Sequence, residues 1–464
     1  MKTNRRFCIN LIFIILIIFC ISAPGQSAEG VKNVILLIGD GMGNGARTLT
    51  HLLYRAEGRK LAMESFPVAG LINTYSMNYP VTDSAAAGSA LATGFKTNNK
   101  MISVDPDGNF QVTILEKARQ AGYRVGLVSN TPISHATPGS FGGHSLDRND
   151  KYTIAEQILA NGTDVMLGGG RKYFSYSKAS AKYPERPDLI ARARDSGYKV
   201  VFNRRELIAA GAQPKLLGLF TDNQMEYDID RKVFSEPALN EMTSSAIRSL
   251  SNEKGFFLMV EGGRIDQAAH GHDAATIVSE VEAFDKAVAV ALAFAQNRND
   301  TLVIVTADHE TGGVSILERA RVEWLRKVSR SCEWLATQNR IGKLSISDIF
   351  TRYIRIPGLE VTDLPAELMK DYQYNAPLGF GHFVSKFIGV SFIDIDDQVR
   401  SKSTFGHTGA AVPIFAYGVG SNHFSGVFDN TEVPRKIAAL LDLTLPEPSR
   451  EEPDWVLRAR SSKK

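Results

Sequence analysis

Alternation of short apolar runs with helical patterns is the feature that most restricts the fold of this 464-residue chain. Runs rich in β-branched residues are typical of buried parallel strands, and they occur at Val34–Ile38, Arg124–Val128, Asp164–Leu167, Phe256–Val260, Leu302–Thr306 and Ile414–Tyr417. Helical patterns lie between them, for example at Val112–Ala121, Ser244–Ser251 and Ala274–Gln296. This alternation predicts an α/β fold, a three-layer α/β/α sandwich in which helices cover both faces of a mostly parallel central sheet.

Two segments depart from the alternation, and we expect them to be insertions in a single domain that spans residues 29–464. Residues from about 316 to 400 are helical and irregular, with Trp324, Trp334 and several further aromatic residues. We expect this segment to form a cap beside the site. Residues from about 171 to 235 are rich in Arg, Lys, Tyr and Pro, and they predict a second, smaller insertion.

The first 28 residues have the layout of a secretory signal peptide. Lys2, Arg5 and Arg6 precede an apolar run of about fourteen residues, which is short for a membrane span of roughly 20 residues. Small and polar residues follow, so we expect cleavage between Ala23 and Gly30, after which no stable membrane span remains. An uncleaved anchor and a lipoprotein are less favoured alternatives. The mature protein is predicted to be periplasmic or secreted.

Charge argues against nucleic acid as a dedicated partner. The chain has 53 Lys and Arg residues against 50 Asp and Glu residues, and three of the basic residues lie in the predicted signal peptide. Without that peptide the net charge is zero, which leaves no electrostatic footprint for a polyanion. Cys332 is the sole cysteine beyond the signal peptide, so the mature chain has no intrachain disulfide.

Carboxylate and imidazole side chains follow three of the predicted strands, at the sheet edge where ligands bind in parallel α/β folds. They are Asp40 after the first run, Glu261 after the fourth, and Asp308 with His309 after the fifth. Buried carboxylates are costly unless they are paired or bound to a cation, so these strand ends predict a polynuclear metal site. Asp266 and His270 are four residues apart just beyond Glu261, and such a pair on one side of a helical turn suits Zn²⁺.

The candidate nucleophile is Ser84, which lies in an Ala-rich segment at 81–94. Thr82 or Asp83 is a suitable helix N-cap, which places Ser84 in the first turn, where backbone N–H groups favour an anion. A buried helix with an incidental serine explains this segment equally well when it is taken alone. Since the segment has no Gly-x-Ser-x-Gly motif, coordination to a metal is the better candidate for activating the hydroxyl.

Six segments, in order along the chain, resemble motifs of the alkaline phosphatases, especially of their bacterial branch. They are Gly39–Gly43, Thr82–Ala86, His135–Pro138, Glu261–Asp266, Ala307–Gly313 and His407–Gly409. The resemblance covers most of the mature chain, and motifs in the family's order are far more specific together than singly. It implies an alkaline phosphatase that hydrolyses small-molecule phosphate monoesters through a phosphoserine intermediate on Ser84.

The resemblance also implies two Zn²⁺ ions and their ligands. One Zn²⁺ would be held by Asp266, His270 and His407. The other Zn²⁺ would be held by Asp40, Asp308 and His309.

One Mg²⁺ is implied as well, with Thr137 and Glu261 joining Asp40 as its ligands. His135 and Gln267 stand where some relatives carry Asp and Lys, so His135 either coordinates the third metal or contacts it through water, and the identity of that metal stays open.

Arg148 stands where the family has an arginine that clamps phosphate, an anion that a guanidinium can bind through two oxygens. Without the resemblance, a solvated surface arginine is the simpler interpretation.

Two rival functions remain open at this point. A phosphodiesterase of the same superfamily would share the fold and the metal ligands, whereas the Thr82-Asp83-Ser84 sequence differs from the motif that sulfatases need. A non-catalytic metal- or phosphate-binding protein would need the ligand set but not Ser84. The physiological ester is not readable from the sequence, and neither is the oligomeric state, although a homodimer is common in the family.

Overall fold

The computed structural model describes residues 30–175, 187–361, 375–394, 404–447 and 452–461. Its strands are β1 (Asn33–Gly39), β2 (Val68–Asn73), β3 (Arg124–Pro132), β4 (Val165–Gly169), β5 (Lys199–Val201), β6 (Leu216–Leu219), β7 (Phe256–Gly262), β8 (Thr301–Ala307), β9 (Glu310–Thr311), β10 (Ser315–Ile316), β11 (Val390–Ser391), β12 (His407–Thr408), β13 (Val412–Gly418) and β14 (Gly426–Asp429). Ten of them form the central sheet in the order β14-β2-β13-β8-β1-β7-β3-β4-β6-β5. The short strands pair as β9 with β12 and β10 with β11.

At the centre of the sheet, the carboxyl ends of β1, β7 and β8 lie side by side. β1, β7 and β8 are buried along their whole length, as their apolar sequences predict. β1 lies between the other two in parallel register, so that Gly39 is opposite both Gly262 and Ala307. The residues that follow these strands therefore meet at one edge of the sheet, where the ligand-type side chains were expected.

Helices cover both faces of the sheet. They are α1 (Asn44–Ala56), α2 (Ser84–Thr93), α3 (Ile114–Gln120), α4 (Ala136–Gly142), α5 (Lys151–Ala160), α6 (Leu189–Asp195), α7 (Arg204–Ala210), α8 (Leu239–Leu250), α9 (Arg264–His270), α10 (Ala274–Ala295), α11 (Cys332–Arg340), α12 (Ile346–Asp348), α13 (Ala376–Ile388), α14 (Glu432–Leu440) and α15 (Asp454–Ser461). Adjacent residues of β7 point to opposite faces: Phe256 contacts Phe294 of α10, and Phe257 contacts Phe141 of α4. The predicted three-layer α/β/α sandwich is confirmed.

The predicted direction of one strand is wrong. Ile414–Tyr417 was expected to be a parallel strand, but it lies in β13, which runs antiparallel to β8 and to β2. An apolar run has the same composition in either direction, so the sequence pattern alone does not distinguish the two. The remaining pairings of the central sheet are parallel.

Parts of both predicted insertions have regular structure. β5 and β6 belong to the segment at 171–235, and they form one edge of the central sheet. The segment at 316–400 contains α11, α12 and α13, and its aromatic rings contact one another, as Phe350 does with Phe380 and Phe383. Residues 176–186, 362–374 and 395–403 lie outside the described residues, and the division into domain and insertions stays a prediction.

The predicted signal peptide, residues 1–28, also lies outside the described residues. Among the helices that are described, none combines the length and the apolar character needed to cross a bilayer.

Candidate active site and metal centre

Ser84 is the first residue of α2, and its neighbour Asp83 caps that helix. The Asp83 carboxylate accepts a 3.0 Å hydrogen bond from the backbone N–H of Ala86, as expected of an N-cap. The helix is buried at every residue and packs closely on α4. A Cβ added at Gly88 would lie 3.3 Å from the Cα of Thr137, so the small residues of α2 allow this close approach. Ser84 is only 2% exposed.

The Ser84 hydroxyl contacts a group of three fully buried side chains, here called the serine-proximal group: Asp40, Asp308 and His309. Oγ of Ser84 lies 3.1 Å from Nε2 of His309 and 3.4 Å from Oδ1 of Asp40. Nε2 of His309 is in turn 3.3 Å from a carboxylate oxygen of each aspartate. Because β1 and β8 are neighbours in register, residues from two distant parts of the chain converge here.

A second set, the outer group, consists of Asp266, His270 and His407. The Asp266 carboxylate lies 3.3 Å from Nε2 of His270 and 3.5 Å from Nε2 of His407, and the two imidazole nitrogens are 3.3 Å apart. Asp266 and His270 are both on α9, so their four-residue spacing places them on one side of that helix. Asp266, His309 and His407 offer atoms within 4.8 Å of one another, so the outer and serine-proximal groups adjoin.

A third set, the oxygen-rich group, consists of Asp40, Thr137 and Glu261, with His135 beside it. Ligand atoms of Asp40, His135 and Glu261 lie within 4.8 Å of one another. Hydroxyls of Ser129 and Thr131 donate to Oε2 of Glu261, the second at 2.9 Å, and they orient the carboxylate. Its other oxygen, Oε1, is thereby left to face the group.

The serine-proximal group and the oxygen-rich group, with the adjoining His135, contain buried atoms that have no hydrogen-bond partner within the described part of the chain. They are Oδ2 of Asp40, Nδ1 of His135, Oγ1 of Thr137, Oε1 of Glu261 and Oδ2 of Asp308. Buried polar atoms are nearly always satisfied in folded proteins, so a cluster of such exceptions fits divalent cations. These residues therefore suit the metals that the sequence implied.

Electrostatics leads to the same conclusion. Burial, followed by the like charge of Asp308, raises the pKa of Asp40 well above its usual range. Burial also raises the pKa of Asp308 to about 7 and that of Glu261 to about 7. Burial lowers the pKa of His309 to about 4, so its imidazole is neutral at pH 7 and is able to act as a metal ligand. Ionised carboxylates packed this closely need compensating positive charge.

Two imidazoles are oriented by partners that the sequence did not predict. Nδ1 of His407 lies 2.9 Å from the carbonyl oxygen of Thr82, so it carries the proton, and Nε2 faces the outer group. The Thr311 hydroxyl donates to Oδ1 of Asp266 at 2.6 Å and lies 3.2 Å from Nδ1 of His309. Such partners fix the tautomer and the ring orientation of metal-binding histidines. A threonine within the Ala307–Gly313 motif was a visible signal, but its contacts depend on the fold.

Arg148 lies beside the site and is held by Asp83. Its Nη1 donates a 3.0 Å hydrogen bond to Oδ2 of Asp83. The pKa of His135 is lowered well below its usual range, first by burial and then by the positive charge of Arg148. The guanidinium therefore lies beside the residue that precedes Ser84, and 21% of its side chain is exposed. The structure brings Ser84, Arg148 and all nine predicted metal ligands into one region.

A three-layer α/β/α fold with carboxylate and imidazole side chains clustered at the carboxyl ends of its strands is typical of metal-dependent α/β enzymes. Comparison with known proteins specifies the class. The family model for alkaline phosphatase matches residues 31–369. Alkaline phosphatase 4 of Bacillus subtilis (strain 168) is 35% identical over 442 residues, which cover 90% of this chain and 91% of the relative. The chain therefore belongs to the alkaline phosphatase family, and it is an enzyme of the phosphoric monoester hydrolase class.

Solved structures agree with this assignment. Thermus thermophilus alkaline phosphatase matches with a TM-score of 0.79 and 29% identity, over 93% of this chain and 96% of that one. A variant of the alkaline phosphatase from the Antarctic bacterium TAB5, in which a histidine is replaced by aspartate and Mg is bound in the M3 site, matches with a TM-score of 0.64 and 28% identity. That match covers 89% of this chain and 99% of the TAB5 chain.

Proposed function

We propose that this enzyme hydrolyses phosphate monoesters by covalent catalysis at Ser84, with two Zn²⁺ ions and one Mg²⁺ ion as cofactors. The position of the Ser84 hydroxyl carries the proposal, because it contacts both His309 and Asp40. A serine hydroxyl is a weak nucleophile unless a base or a metal activates it. In this site the hydroxyl adjoins the donor atoms that would hold a cation, and it lies at a helix N-terminus, which favours an anionic phosphoryl group.

The donor atoms suggest which metal each group holds. The outer group and the serine-proximal group combine imidazole and carboxylate donors, which suits Zn²⁺. The oxygen-rich group offers mainly carboxylate and hydroxyl oxygens, which suits Mg²⁺, and the imidazole of His135 adjoins them. When bound, these cations supply Lewis-acid charge that stabilises anionic oxygens and lowers the pKa of a coordinated hydroxyl.

The reaction then has two in-line steps on phosphorus. In the first step, Oγ of Ser84 attacks, the new Oγ–P bond forms, and the bond to the alcohol oxygen breaks, so that the alcohol leaves with a proton. In the second step, water attacks the phosphoserine, the Oγ–P bond breaks, and inorganic phosphate leaves while Ser84 regains its proton. Arg148 and the N–H groups at the start of α2 stabilise the equatorial phosphoryl oxygens in both steps.

We also propose that the enzyme is exported to the periplasm or the medium. The basic residues and the apolar run at 1–28 support this proposal. Fusion of residues 1–35 to a reporter that is active only after export tests it, and a reporter retained in the cytoplasm would contradict it.

Substitution of the nucleophile tests the proposed mechanism. We expect Ser84→Ala to lower turnover of a phosphate monoester by at least roughly 1000-fold while the bound metals stay in place. Mass spectrometry of acid-quenched wild-type enzyme should find one phosphoryl group on Ser84, and none on the variant. Ser89→Ala removes another buried hydroxyl from the same helix and is the matched control, expected to remain active. Unchanged turnover of Ser84→Ala would exclude the covalent route.

A further inference from the structure

A pocket of about 220 Å³ adjoins the outer group. His270 forms part of its wall, whereas Ser84 does not line it. Its other walls come from well-separated parts of the chain and include Tyr227, Gln267, Asn375, Leu378 and Phe405. The pocket is therefore bounded by α9 and by the segment that was predicted to form a cap. Neither the reaction at Ser84 nor the metal groups account for it.

Phe405 has two unusual features at this pocket. Its φ angle is +51°, in the left-handed region, which is an unfavourable conformation for a bulky residue. Its side chain is nevertheless 41% exposed, so packing in the core does not explain the strained backbone. Strain of this kind is concentrated at functional sites. The ring centroid lies 5.9 Å from that of His270, which places the exposed aromatic face beside the outer group.

A row of rings connects the nucleophile to this pocket. Ser84 contacts His309, whose ring stacks on His407 with centroids 3.7 Å apart. His407 is 5.1 Å from His270, and His270 adjoins Phe405. In an in-line displacement, the leaving oxygen lies on the side of phosphorus opposite the nucleophile. The outer group lies between Ser84 and the pocket in this row, so a leaving group on the side of phosphorus opposite Ser84 would extend toward the pocket.

We propose that this pocket is the leaving-group subsite, and that Phe405 makes it selective for leaving groups that carry an aromatic ring, such as phenols and nucleosides. The exposed ring provides a stacking surface for a planar group. Gln267 and Asn375 supply hydrogen-bonding groups in the wall of the same pocket. Phe405 is thus a specificity-determining residue, and the inference rests on the proposed phosphomonoesterase function of the site.

Two substitutions separate stacking from backbone strain. Asn tolerates the left-handed conformation, so Phe405→Asn removes the ring without opposing the fold, and its melting temperature should not fall below that of the wild type. Phe405→Leu keeps an apolar side chain of similar length without an aromatic face. For both variants we expect kcat/KM for phenyl phosphate and for a nucleoside monophosphate to fall about 3- to 10-fold. We expect kcat/KM for glycerol phosphate to stay unchanged.

Inhibitor binding gives a readout that does not depend on turnover. Inhibition by phenylphosphonate should weaken by the same factor in both variants, whereas inhibition by inorganic phosphate should not change. Phe234→Leu is the control, because Phe234 is 89% exposed and lies on a different surface. Bound metal is measured in every variant, so that a displaced His270 is detected.

The outcomes divide clearly. Equal effects on aromatic and aliphatic esters would show that Phe405 acts by positioning His270, and they would overturn the subsite. The subsite would also be overturned if the variants kept the wild-type ratio of kcat/KM between aromatic and aliphatic esters and bound phenylphosphonate as tightly as the wild type. A wild-type enzyme that hydrolyses none of these esters would refute the proposed function, and with it this inference, whereas active variants with an altered preference support both.

Discussion

Asp83 joins the nucleophile's helix to Arg148 through its two carboxylate oxygens. Oδ1 accepts from the backbone N–H of Ala86 in the first turn of α2, and Oδ2 accepts from Nη1 of Arg148. One side chain therefore fixes both the helix that begins at Ser84 and the guanidinium that would bind the phosphoryl oxygens. The position of the Arg148 guanidinium beside Ser84 therefore depends on the Asp83 carboxylate.

Substitution of Asp83 should therefore weaken phosphate binding more than it weakens the fold. Asp83→Asn keeps an oxygen for the helix cap but removes the negative charge that holds Arg148. We expect kcat/KM for a phosphate monoester to fall roughly 10- to 100-fold, since hydrogen bonds to charged groups contribute about 1.5–3 kcal/mol. Steady-state kinetics and the inhibition constant of inorganic phosphate measure this effect.

Asp83→Ala should add a loss of about 1 kcal/mol in the free energy of unfolding, because the N-cap is lost as well. Asp147→Asn changes an exposed carboxylate one residue before Arg148, and it is expected to leave kcat/KM unaltered. If Asp83→Asn retained wild-type kcat/KM, Arg148 would not depend on Asp83 for its position.

Thr311 is predicted to control metal affinity without binding a metal itself. Its hydroxyl contacts Asp266 of the outer group and His309 of the serine-proximal group. Thr311→Val has nearly the same shape but leaves both partners without the hydroxyl, so metal affinity should fall roughly 10- to 100-fold. Competition with a chelator measures this affinity, and excess Zn²⁺ should restore activity.

Thr311→Ser keeps the hydroxyl and is expected to behave like the wild type. Thr50→Val removes a buried hydroxyl that bonds within α1, far along the chain from the site, and controls for the general loss of a threonine hydroxyl. An unchanged chelator titration for Thr311→Val would mean that the orientation of His309 does not depend on Thr311.

The sequence was sufficient to predict the strand-end carboxylates but not the hydroxyls around them. Asp40 and Glu261 each follow an apolar run, so their place at the sheet edge followed from the pattern. Ser129 contacts Glu261 because β3 and β7 pair in parallel with these two residues opposite each other. Register between strands is a property of the assembled sheet, and a single strand's sequence does not contain it.

The edges of the sheet were harder to predict than its centre. β1 and β7 are uniformly apolar because helices cover both of their faces, whereas β2 is mostly exposed or half-buried and has a weaker pattern. β5 has three residues, too few for any periodicity to be visible. β13 runs antiparallel to β8, and the apolar residues of a strand do not specify its direction.

Phosphate monoesters should be much better substrates than diesters or sulfate esters. Arg148 and the start of α2 offer positive charge to the additional negative charge of a monoester, which a diester and a sulfate ester both lack. Comparing kcat/KM for the phenyl ester of phosphate, bis-phenyl phosphate and phenyl sulfate on the same metal-loaded preparation measures this preference. A larger kcat/KM for the diester would identify the enzyme as a phosphodiesterase.

The Asp308 carboxylate should stabilise the native state when metals are bound and destabilise it when they are removed. Burial raises the pKa of this carboxyl to about 7, compared with about 4 in an unfolded chain. Between these values the native state holds a proton that the unfolded state has lost, so the free energy of unfolding falls as pH rises from about 4 to about 7. Asp308→Asn imitates the protonated carboxyl and avoids this loss. The metal-free variant should therefore be more stable than the metal-free wild type at about pH 8, by an amount on the order of 1–4 kcal/mol.

Denaturant unfolding in the presence of a chelator, at about pH 5 and about pH 8, measures this difference. The advantage of Asp308→Asn should be roughly one third as large at the lower pH as at the higher pH. With metals bound, the order should reverse, because the ionised carboxylate then binds a cation whose affinity stabilises the native state. Asp107→Asn, at an exposed position, should show no such dependence on pH. The difference in stability between Asp308→Asn and the wild type could instead stay constant with pH. That result would show that Asp308 is not protonated in the metal-free protein. The serine-proximal group would then not need a cation because of the burial of Asp308.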